Sequence, residues 1–548
     1  MSDPLFSSLG HLEERKARGA FFTPPDLADF IAAWAIRSPK DRVLEPSCGD
    51  AAFLLSAGQR LIDLGCGETK AALRGVEIHA ASAAEAASRT ANVGAPATVV
   101  TGDFFDHEAD KSWNVVLGNP PYVRYQGFTG ENRRKGQGAA LAQGVRLTGL
   151  ASSWAPFVAH AAGHLTPSGR LGLVLPGELL TTNYAAAIRS FLMSRFRSVR
   201  LVMFERRVFP DVSEEVILLL AEGAGPTDHF LVHQVDDLEA LSAIDDSAAR
   251  WKPKRSDEKW SPALLPSGAA ESYRKIVGQG AFERLDAWGA TQLGAVTGNN
   301  SWFTMTTDRA SRLRLEASDL VPVSPPGSKH LRGLAFNTAT WKEMGTNGSR
   351  VWLFRPPGEP NPAAQALIRE GEAEGIQNAY KCRVRSPWWR VPISQPGHLL
   401  FTYMNHETPR LVTNSARVRH LNSVHAVRLK SGRVRLGSAL LPLAALNTLT
   451  SLSAELVGRS YGGGILKLEP TEANTLAVPS LATLQSWSVA LQSLMPQLEK
   501  PLRGGALNDV IRQVDDALLI ETLGLRKRDV RALEDARMMM FERRSARK

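Results

Sequence analysis

Asp41-Arg42-Val43-Leu44-Glu45-Pro46-Ser47-Cys48-Gly49-Asp50-Ala51-Ala52-Phe53 reads as a short strand, a tight turn and the start of a helix. A strand-to-helix turn of this kind is where a parallel α/β sheet seats the end of a small organic ligand. The turn lacks the full Gly-x-Gly-x-x-Gly spacing, which favours a smaller adenosyl ligand over a dinucleotide. Downstream, Ala72-Leu73-Arg74-Gly75-Val76-Glu77-Ile78 is a second strand that ends in an acid, placed to bind both ribose hydroxyls. A third strand, Ala97 to Phe105, ends in Asp103, which can accept from an adenine amine, with Phe104 beside it to cover the ring. Singly, Glu77 or Asp103 suits a helix cap or a solvated turn. Three acids at three successive strand ends point to one shared pocket.

The apolar run Trp113-Asn114-Val115-Val116-Leu117-Gly118 leads into Asn119-Pro120-Pro121-Tyr122. An amide, two prolines and an aromatic at a strand's carboxyl end make a rigid grip for a flat, amine-bearing ring. Methylating an exocyclic amine requires its lone pair to leave conjugation and face an electrophilic methyl group. The Asn119 side-chain oxygen and the Pro120 carbonyl can each accept one N–H bond from that amine, which favours this geometry and supports the developing positive charge. Pro121 has a fixed φ and no N–H, so the turn is stiff. Tyr122 can stack on the ring, an interaction worth roughly 1–3 kcal/mol for an extruded base. The bland reading of an Asn-Pro-Pro sequence is turn punctuation after a strand.

With these motifs in this order, the chain resembles the gamma class of S-adenosylmethionine-dependent N6-adenine DNA methyltransferases, the TaqI-like modification enzymes of type II restriction-modification systems. Gly19-Ala20-Phe21-Phe22-Thr23-Pro24-Pro25 resembles the motif that precedes the glycine loop in that class. Gly169 to Pro176 and Glu214 to Leu220 resemble its later strands, so the likeness runs motif by motif from residue 19 to about 222. It implies a cofactor site of Phe22, Thr23, Pro24, Glu45, Ser47, Gly49, Glu77, Ile78, Asp103, Phe104 and Asn119, and a catalytic tetrapeptide Asn119, Pro120, Pro121 and Tyr122. It also implies S-adenosyl-L-methionine as cofactor and double-stranded DNA as partner, with a cognate restriction endonuclease acting separately. In some relatives a second aromatic stacks on the other face of the flipped adenine, near the strand that here runs Leu171 to Pro176. This chain has Leu173 there, with Tyr125 and Phe128 as aromatic alternatives. Cys48 reads as a small filler beneath the cofactor.

The implied fold class is α/β, a Rossmann-like methyltransferase domain with a mainly parallel sheet. An α+β target-recognition domain and a helical C-terminal segment follow it. The 548 residues, 43% of them hydrophobic, suffice for two or three domains. Pro253, Pro262 and Pro266 among charged residues break periodicity, so we place a catalytic domain at 1–250 and a linker at 251–270. A recognition domain at 271–485 and a helical segment at 486–548 complete the chain. Within the recognition domain we expect a helix from Ser272 to Val277, another from Asn447 to Lys467, and a turn at Tyr461-Gly462-Gly463-Gly464.

Three scattered cysteines, Cys48, Cys66 and Cys382, argue against a disulfide framework or a zinc site and for a reducing cytoplasm without a structural metal. The first twenty residues lack the apolar core of a secretory signal, and no run of residues reaches a membrane-spanning length. A net charge of +10 favours a polyanionic partner. Nine Lys or Arg lie between Lys381 and Lys430 against the single acid Glu407. Lys381, Arg383, Arg385, Arg390, Arg417 and Arg419 stand there amid Trp388, Trp389 and Tyr403, a mixture suited to phosphates and base edges. The segment Gly127 to Gly149 reads as a flexible basic loop beside the extruded base, with Arg133, Arg134 and Lys135 on phosphates. The basic end Arg543 to Lys548 could touch phosphate, although exposed termini are usually just soluble. A chain with its own recognition domain can act as a monomer. Methylation of an RNA base or of a protein glutamine, and a non-catalytic DNA-specificity subunit, are the alternative readings.

Overall fold

The computed structural model describes residues 23–67, 71–204, 208, 215–244, 248–461 and 463–545. Phe22 of the expected cofactor site lies outside the described residues. The chain divides into two compact units, with the boundary between Leu264 and Leu265.

The first unit is built on a nine-stranded sheet of β1 (Val43–Glu45), β2 (Leu73–Glu77), β3 (Thr98–Thr101), β4 (Trp113–Gly118), β5 (Leu165–Pro176), β6 (Phe196–Phe204), β7 (Val216–Ala224), β8 (Phe230–Val235) and β9 (Ala249–Trp251). Their order is β3-β2-β1-β4-β5-β7-β6-β8-β9. Strands β3, β2, β1, β4 and β5 pair in parallel. Strand β7 runs antiparallel between β5 and β6, and β9 runs antiparallel on β8. The near-continuous apolar character of β4 and β7 is what a strand covered on both faces requires.

Helices Pro25–Ala35 and Ala52–Asp63 supply one cover through Leu27, Ile31, Phe53 and Leu54, which meet Leu117, Val174 and Leu218 from the sheet. Gly172 on β5 permits that approach, since a Cβ there would stand 2.5 Å from Ile31 Cγ2. The order reverses between β1 and β4, and ligands of open α/β sheets sit at the carboxyl ends of the strands at such a switch point. The sequence motifs 44–53 and 119–122 flank it.

Residues 251–264, read from their prolines as the first part of a linker, belong instead to the first unit. Trp260 is fully buried against Phe230 with ring centroids 4.4 Å apart, and its backbone N–H donates to the Leu180 carbonyl at 2.9 Å. The buried Arg189 guanidinium donates to the carbonyls of Asp257, Leu179 and Thr182. Burying an indole returns several kcal/mol at roughly 25 cal/mol per Å². Prolines lower the entropy lost on ordering the segment, so the same residues that suggested a break make a strap inexpensive to fix.

The second unit is α+β. One antiparallel sheet runs Gly289–Gln292, His425–Leu429, Leu399–Phe401, Leu411–Thr413 in spatial order, and three smaller antiparallel sheets accompany it. The first helix spans Ser267–Gly278, longer at both ends than its sequence pattern. The helix expected from Asn447 to Lys467 stops at Val457, where Gly458 leads into a hairpin of Arg459–Tyr461 and Ile465–Lys467. Residues 486–545 are helical, as their periodicity indicates, yet they form part of this unit's core rather than a separate tail. Asp515 Oδ1 accepts from Thr448 N at 2.9 Å, and Arg544 pairs with Glu455 at 2.8 Å with both side chains about 5% exposed or less. The basic end is therefore partly interior: Arg543 and Arg544 are buried. Among the described residues no single helix is long and apolar enough to cross a membrane.

Candidate active site

The turn after β1 is shaped by backbone more than by side chains. Gly49 (φ +47°) and Ala51 (φ 67°) both adopt left-handed conformations, which reverses the chain before the helix Ala52–Asp63 begins. Ala51 occupies the capping position without a capping side chain. The cap comes from Glu45, whose Oε2 accepts from Leu54 N at 3.0 Å across the turn. Burial drives the Glu45 carboxyl well above the ordinary carboxylate range, with Asp50 and Glu77 adding to the shift and the Leu54 bond opposing it. Glu45 thus underpins the loop from within, being 3% exposed. Cys48 fills the space beneath, where a Cβ on Gly75 would meet its Sγ at 2.8 Å.

Glu77, at the end of β2, reaches the same loop. Its Oε2 accepts from Gly49 N and its Oε1 from His79 N, each at 3.0 Å. A carboxylate offers about four acceptor positions, so two backbone donors orient it while leaving capacity for a vicinal diol. Next to it Ile78 is 57% exposed, an apolar side chain projecting at the strand's end. No atom lies within 4 Å of a Cβ position on Gly49, so the space above the turn is open.

After β3, Asp103 Oδ1 accepts from Phe105 N at 3.0 Å and opens the turn Phe104–Asp106. Its other oxygen is 3.7 Å from Lys135 Nζ, which is itself 2.6 Å from Asp106. Phe104 does not face the ligand side as the sequence suggested. It is 3% exposed, stacked against Phe157 and His164 at 5.5 and 5.2 Å, and its carbonyl stands 3.2 Å from His160 Nε2. Of the apolar side chains Phe104 and Ile78 expected in the cofactor site, Ile78 is the exposed one.

At the end of β4 the tetrapeptide meets two of the expected cofactor residues. Asn119 Nδ2 donates to Thr23 Oγ1 at 3.3 Å, and Ser47 Oγ donates to the Asn119 carbonyl at 3.4 Å. In this orientation Oδ1 is the amide's acceptor end. Pro24 precedes the helix Pro25–Ala35 and accepts from Leu27 N. Pro46, Ser47, Gly118, Pro120, Phe157, Ala161 and Leu173 line a narrow hollow beside the tetrapeptide. Tyr122 is 8% exposed and its hydroxyl donates to the Val174 carbonyl at 3.0 Å, so its ring is anchored to β5. Of the candidates for the second stacking face, Phe128 and Leu173 are buried while Tyr125 is 39% exposed.

The segment after the tetrapeptide is not a flexible loop: residues Gly130–Ala142 form a helix. Arg133 folds back to donate to the carbonyls of Phe128 and Tyr125, and Lys135 is held by Asp106 and Asp103. Arg134 projects, its side chain 79% exposed and 3.6 Å from Glu131. The basic stretch of the second unit divides in the same manner. Lys381, Arg383 and Arg417 are exposed. Arg385 donates to the carbonyls of Val296 and Thr297, Arg390 to that of Gly358 and Arg419 to that of Ser394, each tying one segment to another. Sequence reasoning missed Ser153, His160 and His164, which support the site from the helix Trp154–Gly163. A serine before an apolar helix reads as an ordinary cap, and histidines within one read as core.

A mainly parallel sheet in which β7 and β9 run antiparallel, a glycine turn at the switch point and an Asn-Pro-Pro-Tyr turn beside it define an S-adenosylmethionine-dependent methyltransferase. Residues 8–237 match the family model of the N-6 DNA Methylase, and residues 257–519 match that of the Type II methyltransferase M.Eco57I C-terminal domain. The two matched stretches together take in most of the chain, an N-6 DNA Methylase part followed by a Type II methyltransferase C-terminal part. The chain is 23% identical over 474 residues to the Type II methyltransferase M.AccI of Acinetobacter calcoaceticus, covering 84% of this chain and 85% of that one. It is 24% identical over 508 residues to M.XamI of Xanthomonas campestris pv. amaranthicola, covering 88% of each. The Type IIL restriction-modification enzyme MmeI, solved in complex with DNA, has a similar fold with a TM-score of 0.58 at 11% identity, over 94% of this chain and 75% of that one.

Proposed function

We propose that this protein, an N6-adenine DNA methyltransferase of gamma-class type, moves a methyl group from S-adenosyl-L-methionine to the exocyclic amine of one adenine flipped out of a specific duplex site. The observation that carries this reading is the Asn119-Pro120-Pro121-Tyr122 turn at the end of β4, bonded through Ser47 to the turn after β1 and through Thr23 to the segment before the helix Pro25–Ala35. The residues present suit the cofactor. The open face above Gly49 accommodates the amino-acid end, the Glu77 carboxylate the ribose hydroxyls, exposed Ile78 a face of the adenine, and Asp103 its amine. The cofactor supplies a methyl group on a positively charged sulfur.

The chain's own residues supply position and polarity. Asn119 Oδ1 and the Pro120 carbonyl accept the two N–H bonds of the target amine, turning its lone pair toward the methyl carbon. As the C–N bond forms and the S–C bond breaks, those two acceptors stabilise the ammonium character, and a proton then leaves to solvent. The Tyr122 ring, anchored by its hydroxyl, offers a face to the extruded base. Arg134, Lys381, Arg383 and Arg417 are the exposed cations for phosphate. We further infer that the chain works in the cytoplasm as a monomer, with any cognate restriction endonuclease acting separately.

The test is incubation with labelled S-adenosylmethionine and unmodified plasmid DNA, followed by digestion to nucleosides. Label in N6-methyladenine is expected, and label only in RNA or protein would refute the reading. Asn119→Ala should keep cofactor binding by calorimetry and lose nearly all methyl transfer; normal turnover by that variant would remove the tetrapeptide from the mechanism.

A further inference from the structure

A run of hydrogen bonds behind the tetrapeptide serves no contact with cofactor or base described so far. Ser153 Oγ donates to the Pro121 carbonyl and accepts from Val123 N at 2.8 Å, while Ser153 N donates to the Val123 carbonyl at 2.9 Å. These bonds close a ring around Tyr122, whose hydroxyl is fixed on the far side to the Val174 carbonyl. Proline sets φ at residue 121 but not the ψ that aims the following residue. The Ser153 hydroxyl bridges the Pro121 carbonyl and the Val123 N–H, which stand on either side of the φ and ψ torsions of Tyr122. Ser153 stands at the capping position of the helix Trp154–Gly163 yet makes no side-chain capping bond, because its hydroxyl is engaged with residues 121 and 123.

Ser153 is itself held from both sides. Glu178, two residues beyond the end of β5, accepts at Oε2 from Ser152 Oγ (3.4 Å), from Trp154 Nε1 (3.2 Å) and from the Tyr184 hydroxyl. Trp154 Nε1 also lies 2.9 Å from the Tyr184 oxygen. Ser152, Ser153 and Trp154 are at most 3% exposed. A carboxylate among buried groups is tolerated when donors satisfy it, and three do so here.

We propose that Ser153, locked by Glu178 through its neighbours Ser152 and Trp154, is a positioning residue that aims the Asn119–Tyr122 turn for methyl transfer. The proposal rests on the methyltransferase function above. Glu178 ties this assembly to the end of β5, so the turn after β4 is registered against the neighbouring strand as well as against the turn after β1. Ser153 touches neither cofactor nor base, and its effect is expected on the chemical step rather than on cofactor binding.

Full-length Ser153→Ala, Ser153→Thr and Glu178→Ala are compared with wild type for transfer of labelled methyl to unmodified plasmid DNA. Melting temperature is measured alongside. Ser153→Ala should lower kcat by about 10- to 100-fold, the scale of a small misplacement of reacting groups, with KM for S-adenosylmethionine and melting temperature close to wild type. Ser153→Thr, which keeps the hydroxyl, should recover most of the rate, and Glu178→Ala should move kcat in the same direction as Ser153→Ala. Unchanged kcat in Ser153→Ala, or a loss that follows KM for the cofactor instead, overturns the proposal. If Glu178→Ala does not fold, the two Ser153 variants decide alone. A wild-type protein that leaves DNA unlabelled would refute the function itself, and this inference with it.

Discussion

Lys135 and Arg134 are sequence neighbours with opposite surroundings. Lys135 faces Asp106 and Asp103 at 2.6 and 3.7 Å, and contact with these carboxylates raises the ammonium above its ordinary value. Arg134 extends into solvent. Lys135→Ala should therefore raise KM for S-adenosylmethionine by loosening Asp103, leaving the salt dependence of DNA binding as in wild type. Arg134→Ala should leave that KM alone and lower the slope of log K against log salt by about one if it meets a phosphate. Exchanged outcomes would reverse the two assignments. Glu45, Glu77 and Asp103 were legible as residues that close apolar runs, whereas the part Glu45 plays, a buried cap on Leu54 N, was not. The direction of Phe104 was not, since the turn after Asp103 decides whether the ring enters the core. Nor could a sequence separate Arg134 from Arg133, because a cation looks the same whether it meets a phosphate or a backbone carbonyl.

Among the elements, the helix Gly130–Ala142 departs most from its sequence pattern. Its glycines each cost about 1 kcal/mol of helix propensity, which is why the segment reads as a loop. Gly136 explains the outcome: a Cβ there would stand 2.9 Å from Phe128 Cζ and 3.1 Å from Pro156 Cγ, so the glycine permits close packing on the helix Trp154–Gly163. Tertiary contact outweighs local preference. That second helix carries His160 and His164 beneath Phe104, both buried. Burial, with His160 adding and Asp110 opposing, holds His164 down to about 4 against an ordinary 6.5. The unfolded chain thus takes up a proton that the folded chain refuses. This contribution to stability is complete above pH 6.5 and is lost as pH falls toward 4. Thermal melts across that range should show the first unit weakening with acid, and His164→Gln should decline less steeply. An identical decline in the variant would assign the acid sensitivity to other groups.

For the molecule as a whole, the two units were visible in sequence, but their boundary was displaced. Prolines signal interruption of regular structure, and nothing local reveals that Trp260 has a socket beside Phe230 waiting for it. The last helix was similarly legible as a helix and illegible as core, because its attachment is long-range: it buries Val530, Leu533, Ala536 and Met540 and pairs Arg544 with Glu455. Arg544 also donates to the carbonyls of Gly464, His406 and Glu407, so one guanidinium gathers several segments of the second unit. Removing one partner of a buried pair leaves an uncompensated charge and costs about 3–5 kcal/mol. Glu455→Gln should lose stability on that scale in urea denaturation. Replacing both Glu455 and Arg544 by apolar residues of similar volume should restore much of it, and a loss as large in the double variant would show that the backbone carbonyls, rather than the ion pair, hold the helix.

Strand β7 lies between β5 and β6, which it joins although it follows both in the chain. During synthesis, β5 and β6 therefore emerge with facing hydrogen-bonding edges that nothing yet bridges, and each is strongly apolar. Open apolar strands of this kind invite pairing with other chains. The ribosome must deliver residues 216–224 before either edge is sealed, so a nascent chain halted between Phe204 and Val216 would already carry the glycine turn and the Asn119–Tyr122 turn in sequence and yet be a substrate for chaperones rather than for DNA.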